Sequence, residues 1–401
     1  MPILDPIGWF PKLLQKYHKW KFKGGFIPDL QDTNDYVLGW SFFGSYSPKN
    51  IRTNNASKLL EIKDQKGLNI CVLVSLIGIK EVDEGCLLDY QWLAAYLRDK
   101  KQLSINGTSL SFGQKALQDV GIPQRTREID CNQDWYSFTD SRQLTPESFK
   151  EAAEHKIDSF YSTTSLDKVL EEFDNGRMGH TGADWYSGYN NSGLGVSDVL
   201  GVTQTSWWKK ILFKLHFKAR QLGGVILYII TLNKGYLVGG HAFIAADYDT
   251  DYHSFKVIKL INSYSKLYGD NGAFYVKWED FNKLCKYGVY FNTDLPKNVL
   301  GWLSINQGRC VLEQSGNKVY YIDSDTKRYV PDEALMTMLG GTASTLIHDV
   351  ENILVKVKEG SEMTINDIPM DIREKTKYIL QQTKNPNLDL KTLWGRYFPD
   401  L

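Results

Sequence analysis

Asp64-Gln65-Lys66-Gly67-Leu68-Asn69-Ile70-Cys71-Val72-Leu73-Val74-Ser75 sets a glutamine six residues before a cysteine, with a glycine-containing turn between them and an apolar run after. By length, the run over 71–80 fits either a buried helix or a strand. If it opens a helix, Cys71 sits at the N-terminus, where unpaired backbone N–H groups and the helix dipole favour a thiolate. A thiolate is the nucleophile that acyl transfer needs. The Gln65 amide can then donate to the oxygen of a tetrahedral intermediate, beside the backbone N–H of Cys71. A lone cysteine is more often a small buried apolar residue, so this reading needs partners elsewhere in the chain.

Two later stretches supply them. Gly239-Gly240-His241-Ala242-Phe243-Ile244 puts a histidine at the start of an apolar strand. The paired glycines let the backbone turn and leave room near the imidazole. Leu260-Ile261-Asn262-Ser263-Tyr264 closes the next strand and runs on through Tyr268-Gly269-Asp270-Asn271-Gly272 to Ala273-Phe274-Tyr275. An asparagine oxygen can accept from one imidazole nitrogen and so turn the other toward Cys71. His18, His155, His180, His216, His253 and His348 lack such a partner and read as surface or satisfied core residues.

The order Gln65, Cys71, His241, Asn262, with the ungapped Asn-Ser-aromatic to Gly-Asp-Asn-Gly run, resembles the papain-like cysteine peptidase family. The stretches Gly107–Gly113 and Gly121–Glu128 resemble its microbial or phage-type members, and the likeness covers roughly 26 to 295. It implies an α+β fold of two lobes, one helical and one an antiparallel sheet, with an added C-terminal β/helical region. It also implies a thiol endopeptidase acting on protein or peptide substrates without metal or cofactor. In that family's terms Cys71 is the nucleophile, His241 the general base and acid, Asn262 the residue that orients it, and Gln65 the oxyanion-hole side chain. Tyr264 takes the place of the tryptophan that shields the Asn–His hydrogen bond. The resemblance carries the expectation of a thiol pKa of about 3–4, as in papain itself. The chain departs from the pattern at Asn69 and Ile70, where the family has small residues, and at Val72, where it has an aromatic.

Composition narrows the alternatives. The 401 residues carry a net charge of zero, which gives no reason to expect nucleic-acid binding. Five widely spaced cysteines offer neither zinc-ligand spacing nor a disulfide framework. That suggests a reducing compartment or a fold that needs no bridges. No apolar window is long enough to span a membrane, and the N-terminal lysines break any secretory core, so the chain is expected to be cytoplasmic as synthesised, with virion association left open. The basic aromatic segment 207–220 reads either as a loop over the β-rich half or as a surface for a partner or membrane.

The pattern divides the chain into an N-terminal helix or pro-like extension (1–25), the peptidase-like domain (26–298), a small β unit (299–340) and a polar helical C-terminal region (341–401). Helices are expected over 88–98, 113–119 and 146–154, and over 165–173 with Ser165 as N-cap. Strands are expected over 225–231, 241–248, 255–262 and 273–277. Two other functions stay open. One is a transglutaminase- or amidase-type acyl transferase, which closes its triad with an acid. The other is a non-catalytic structural or binding protein that keeps the fold.

Overall fold

The structure is a computed structural model. It describes residues 25–28, 38, 47–186, 189, 236–252, 254–266, 268–293, 295–314, 318–331, 333–339, 345–349, 352–364 and 367. The expected helix over 1–24, the strand over 225–231, the basic segment 207–220 and the chain beyond 367 lie outside the described residues.

The fold is α+β. In chain order the helices are α1 (Cys71–Glu84), α2 (Tyr90–Asp99), α3 (Leu110–Asp119), α4 (Trp135–Phe138), α5 (Pro146–Ala152), α6 (Leu166–Asp174), α7 (Trp278–Leu284), α8 (Lys297–Asn306) and α9 (Glu333–Met338). The strands are β1 (Ser159–Thr163), β2 (Gly179–Tyr186), β3 (Leu237–Tyr252), β4 (Phe255–Ile261), β5 (Ala273–Lys277), β6 (Val289–Thr293), β7 (Cys310–Leu312), β8 (Val319–Asp323), β9 (Thr326–Val330), β10 (Ile347–His348) and β11 (Lys358–Glu359). The described residues fall into two compact units, one drawn from 1–30, 51–156 and 177–289, the other from 31–50, 157–176 and 290–401.

The first unit joins the helices α1 to α5 and α7 to the antiparallel strands β2-β3-β4-β5. The apolar run after Cys71 is a helix, and every residue from Cys71 to Glu81 is buried. A helix apolar on all faces belongs in the interior, and this one packs against β3. Ile79 on α1 meets Ile244, Ala246, Ile261 and Ala273 from the sheet. Burying one such side chain contributes about 1.5–3 kcal/mol. The shorter helices start at side-chain caps: Asp89 accepts from the N–H groups of Gln91 and Trp92, and Ser109 from that of Phe112. Thr145 accepts from Ser148 N–H, with Pro146 in the first turn.

The sheet is set by long β3, which pairs with β2 at Ala183 opposite His241 and with β4 at Ile244 opposite Ile261. The strand begins at Leu237, ahead of the expected His241, so Gly239 and Gly240 lie inside it and do not form a turn. Between β4 and β5 the chain reverses through Gly269, Asn271 and Gly272, with φ of +55°, +51° and +88°. Glycine and asparagine are the residues that tolerate this left-handed conformation, which is why the Gly-Asp-Asn-Gly run reads as a turn.

In the second unit β1 lies beside β6, and a separate sheet runs β10-β7-β8-β9-β11. The expected hairpin is present: β7 and β8 pair antiparallel with Cys310 opposite Tyr321. Two differences from expectation concern this unit. Lys297–Asn306 is a helix where the pattern suggested none. From 345 to 364 the described residues form β10, a short 3-10 turn over Ile353–Lys356 and β11, where a polar helix was expected. Both short strands pair in parallel with strands of the β unit, β10 with β7 and β11 with β9, so backbone pairing there overrides local helix preference. Ser165 caps α6 as expected, accepting from Lys168 N–H.

Candidate active site

Cys71 is the first residue of α1, and the carbonyl of Ile70 before it accepts from Val74 N–H at 3.0 Å. His241 stands on β3, and Asn262 follows the last residue of β4. All three belong to the first unit and all three are buried, Cys71 and His241 with no exposed surface at all.

Asn262 and His241 meet. His241 Nε2 lies 2.6 Å from Asn262 Oδ1. The same oxygen accepts the backbone N–H of Ser263 at 2.8 Å, which fixes the amide with its oxygen toward the ring. An amide oxygen can only accept, so Nε2 carries the hydrogen, and in the neutral ring Nδ1 is the nitrogen with the lone pair. Asn262 is itself placed by its backbone N–H, which donates to Gly272 O at 2.8 Å across the turn.

Aromatic rings enclose the imidazole. Tyr264 stacks on it with centroids 4.8 Å apart and 15° between planes, a position from which it covers the hydrogen bond. Trp185, from β2, stands edge-on at 4.7 Å and 62°. It was not singled out from the sequence. Trp185 lies two residues beyond Ala183, the partner of His241 in the β2–β3 register, so it shares a face with the imidazole.

Gln65 lies beside this group. Its backbone N–H donates to Ser263 O at 3.0 Å, and Ser265 N–H donates to Lys63 O at 3.1 Å. Asp64 thereby pairs antiparallel with Tyr264. The side chain is buried: Oε1 accepts from Ser263 Oγ at 2.5 Å, and Nε2 donates to Leu68 O at 2.8 Å. One of the two amide hydrogens is therefore committed to the loop that leads to Cys71. The loop is also fastened to α1, because buried Lys63 reaches Glu81 at 2.6 Å. Lys63 meets Glu61 at 2.6 Å, and Arg125 meets Glu61 at 2.8 Å.

The thiol of Cys71 abuts β3 next to His241: the backbone N–H of Ala242 approaches it, with those of Gly25, Val72 and Cys71 itself. These donors favour the thiolate, but complete burial outweighs them and pushes the thiol up to about 12. The depressed thiol expected from the sequence is thus not what this arrangement gives. Burial likewise pushes His241 down to about 4, against the opposing pull of the Asn262 hydrogen bond. Both groups are held neutral.

The segment Gly25–Pro28 adjoins the site, with the Gly25 backbone beside the thiol. Phe26 N–H donates to Gly240 O at 3.1 Å, Ile27 N–H to Thr108 O at 2.9 Å, and Thr108 N–H to Gly25 O at 3.0 Å. This strap lies between the start of β3 and the loop before α3, against Asn69. The room left by Gly240 is filled by Phe26 and not by the imidazole.

His180, one of the histidines read as bland, is fully buried on β2, beside the backbone of Val72. Burial pushes it down to about 3. The five cysteines are unbridged. Among the described residues one group of carboxylates is close enough to share a cation: Glu171, Glu172 and Asp325, in the second unit. The ammonium of Lys168 already sits among them, at 3.0, 2.8 and 2.7 Å respectively. Among the described residues no helix is long and apolar enough to cross a membrane.

No protein-family model and no curated protein matches the sequence. Solved structures do resemble this one. Xylellain, a cysteine protease from Xylella fastidiosa, is 16% identical over 68% of this chain and 96% of its own, with a TM-score of 0.49. The digestive procathepsin L2 proteinase of the Tenebrio molitor larval midgut is 12% identical over 71% of this chain and 88% of its own, with a TM-score of 0.45. Procathepsin B S9 from Trypanosoma congolense is 10% identical over 71% of this chain and 97% of its own, with a TM-score of 0.41.

Proposed function

We propose that the chain is a papain-like cysteine peptidase, an endopeptidase that cleaves peptide bonds with Cys71, His241, Asn262 and Gln65. The observation that carries this reading is the 2.6 Å pairing of His241 Nε2 with Asn262 Oδ1, on a strand whose next residue, Ala242, touches the thiol at the tip of α1.

In the proposed reaction Nδ1 of neutral His241 takes the Cys71 proton as the sulfur attacks the carbonyl carbon of the substrate. The Cys71 backbone N–H and the second amide hydrogen of Gln65 stabilise the oxyanion. The imidazolium then returns its proton to the leaving amine, and the C–N bond breaks to leave a thioester. His241 next takes a proton from water, whose oxygen attacks the thioester. Collapse of that second intermediate breaks the C–S bond, frees the carboxylic product and reprotonates the sulfur. Asn262 keeps the ring turned throughout.

The closed site is a resting form, and Gly25–Pro28 must leave before a peptide enters. Once water reaches the sulfur, the desolvation that holds the thiol neutral is relieved, while the helix N-terminus still favours the thiolate. An amide at 262 disfavours the acyl-transferase alternative, whose third member is an acid. Complete burial of the thiol is the observation that favours the non-catalytic alternative.

A peptide library incubated with the full chain, and with a full-chain Phe26→Ala variant in which the strap is loosened, separates these readings. Cleavage by either chain that disappears on adding Cys71→Ala is expected. Cleavage that survives Cys71→Ala, or no cleavage by a Phe26→Ala chain whose Cys71 reacts readily with iodoacetamide, overturns the proposal.

A further inference from the structure

The sheet of the second unit carries a charged hollow that the proposed reaction does not use. Val311 pairs with Tyr320 across β7 and β8, and Tyr320 with Tyr329 across β8 and β9. Glu313 lies two residues beyond Val311 and Lys327 two residues before Tyr329, so both share the Tyr320 face of the sheet. Glu313 is still in register, since its backbone N–H donates to Lys318 O at 3.0 Å. The 3-10 turn Ile353–Lys356 reaches the same face, because Lys327 Nζ donates to Leu354 O at 2.8 Å. Between turn and sheet is a cavity of about 430 Å³ lined by Glu313, Gln314, Lys327, Asn352, Leu354 and Val355. That volume falls in the range of roughly 300–1,000 Å³ common to small-molecule sites.

The walls are set in advance. Buried Asp349 accepts the N–H groups of Ile353 and Leu354 at 2.7 Å each, which fixes the turn. Asn352 leads into it with φ of +55°, a left-handed conformation that asparagine tolerates. Lys327 Nζ is held 4.9 Å from the centre of the Tyr320 ring. Its ammonium gives one of three hydrogens to Leu354 O, and among the described residues no carboxylate pairs with it. Val355, at the rim, is apolar and yet 71% exposed. The cavity thus sets a carboxylate on one wall, a cation without a counter-charge on another and an uncovered apolar side chain beside them. Glu313 and Lys327 belong to strands two apart, about 10 Å between backbones, less what the side chains close. An extended peptide spans at most about 3.3–3.6 Å per residue, so two or three residues bridge the charges and one does not. We propose that this cavity binds a short peptide with both ends free, a di- or tripeptide. Its ammonium faces Glu313, its carboxylate faces Lys327 and the Asn352 amide, and an aliphatic side chain covers Leu354 and Val355. The site does not involve Cys71 and stands whether or not the chain cleaves peptides.

Isothermal titration calorimetry on the full chain tests this, with Cys71→Ala in place so that the probes stay intact. The probes are alanyl-valine, its N-acetyl form, its C-terminal amide and free valine. Alanyl-valine is expected to bind in the millimolar range or tighter. Blocking either end should weaken binding about tenfold, the size of one charge-assisted hydrogen bond. Adding Lys327→Met should erase the discrimination against the amide and leave that against the N-acetyl form. Adding Glu313→Gln should do the reverse. Equal binding of the free and blocked peptides overturns the proposal, as does the absence of any binding at millimolar concentration. Free valine binding as tightly as alanyl-valine overturns it too, and so does an affinity unmoved by both substitutions. Should Lys327→Met lose its cooperative melt, Lys327→Gln takes its place with the same readouts and the same outcomes.

Discussion

Asn262 holds His241 through a single acceptor oxygen, and that oxygen is pinned by the backbone N–H of the very next residue, Ser263. The arrangement leaves the imidazole one tautomer and one orientation. It does so in a space closed by Tyr264 and Trp185, where water cannot substitute for the amide.

Asn262→Ala should therefore lower kcat/KM by about a hundredfold or more, the direction seen when a triad histidine loses its orienting partner. Asn262→Asp should retain more activity than Asn262→Ala, since a carboxylate oxygen can still accept from Nε2. Steady-state kinetics on a chain with the strap loosened would measure both, and equal rates for Asn262→Ala and its parent would remove Asn262 from the mechanism.

Gln65→Ala should separate two roles. Loss of an oxyanion donor costs roughly 10²–10³ in kcat. Loss of the bonds to Leu68 O and Ser263 Oγ costs about 1–3 kcal/mol of stability, because both partners are buried. Urea denaturation and kcat on the same preparation give the two figures. A stability loss with kcat intact would make Gln65 a brace for the loop and nothing more.

Stability should fall as the pH falls below about 6.5. Burial pushes His241 down to about 4 and His180 down to about 3, from a usual 6.5. Below 6.5 the unfolded rings bind protons that the folded rings do not, so each step down in pH favours unfolding until the folded value is passed. Each ring contributes on the order of 3 kcal/mol over that range. A melting series at pH 7 and pH 4 should show the drop, and it should be smaller in His180→Phe. An identical drop in the variant would mean that the carboxylates alone govern acid sensitivity.

Lys168→Met should destabilise the second unit by about 3 kcal/mol, because Glu171, Glu172 and Asp325 would keep their mutual repulsion without the cation among them. The midpoint of urea denaturation checks this. Should Glu171, Glu172 and Asp325 instead take up a divalent cation in the variant, calcium or manganese would restore the midpoint.

Much of the geometry of the candidate site was legible because its signals are local. The apolar run after Cys71, the six-residue offset to Gln65 and the glycine–asparagine turn after Asn262 each depend on neighbours in the chain. The enclosure was not legible, because it is made by residues far apart in sequence. Nothing in Gly25-Phe26-Ile27 signals that it bonds to Thr108 and Gly240. The pairing of Trp185 with His241 likewise depends on the β2–β3 register, which no single strand encodes. The thiol was expected to be acidic from its helix position and, by resemblance, from its pairing with a histidine; the burial whose desolvation reverses the sign is a tertiary feature. Between 345 and 364 local polarity suggested helix, while parallel pairing with β7 and β9 decided for strand.

The antiparallel seam between residues 63–65 and 263–265 has one more consequence. It makes Gln65, the proposed oxyanion donor, and Asn262, the acceptor for the His241 ring, tenants of a single frame, anchored through Lys63 to the helix that bears the sulfur. A perturbation that loosens the seam would detune both groups in step, so paired substitutions across it should fail to sum. The main-chain hydrogen bond joining Gln65 to Ser263 would then matter to the chemistry as much as either side chain does.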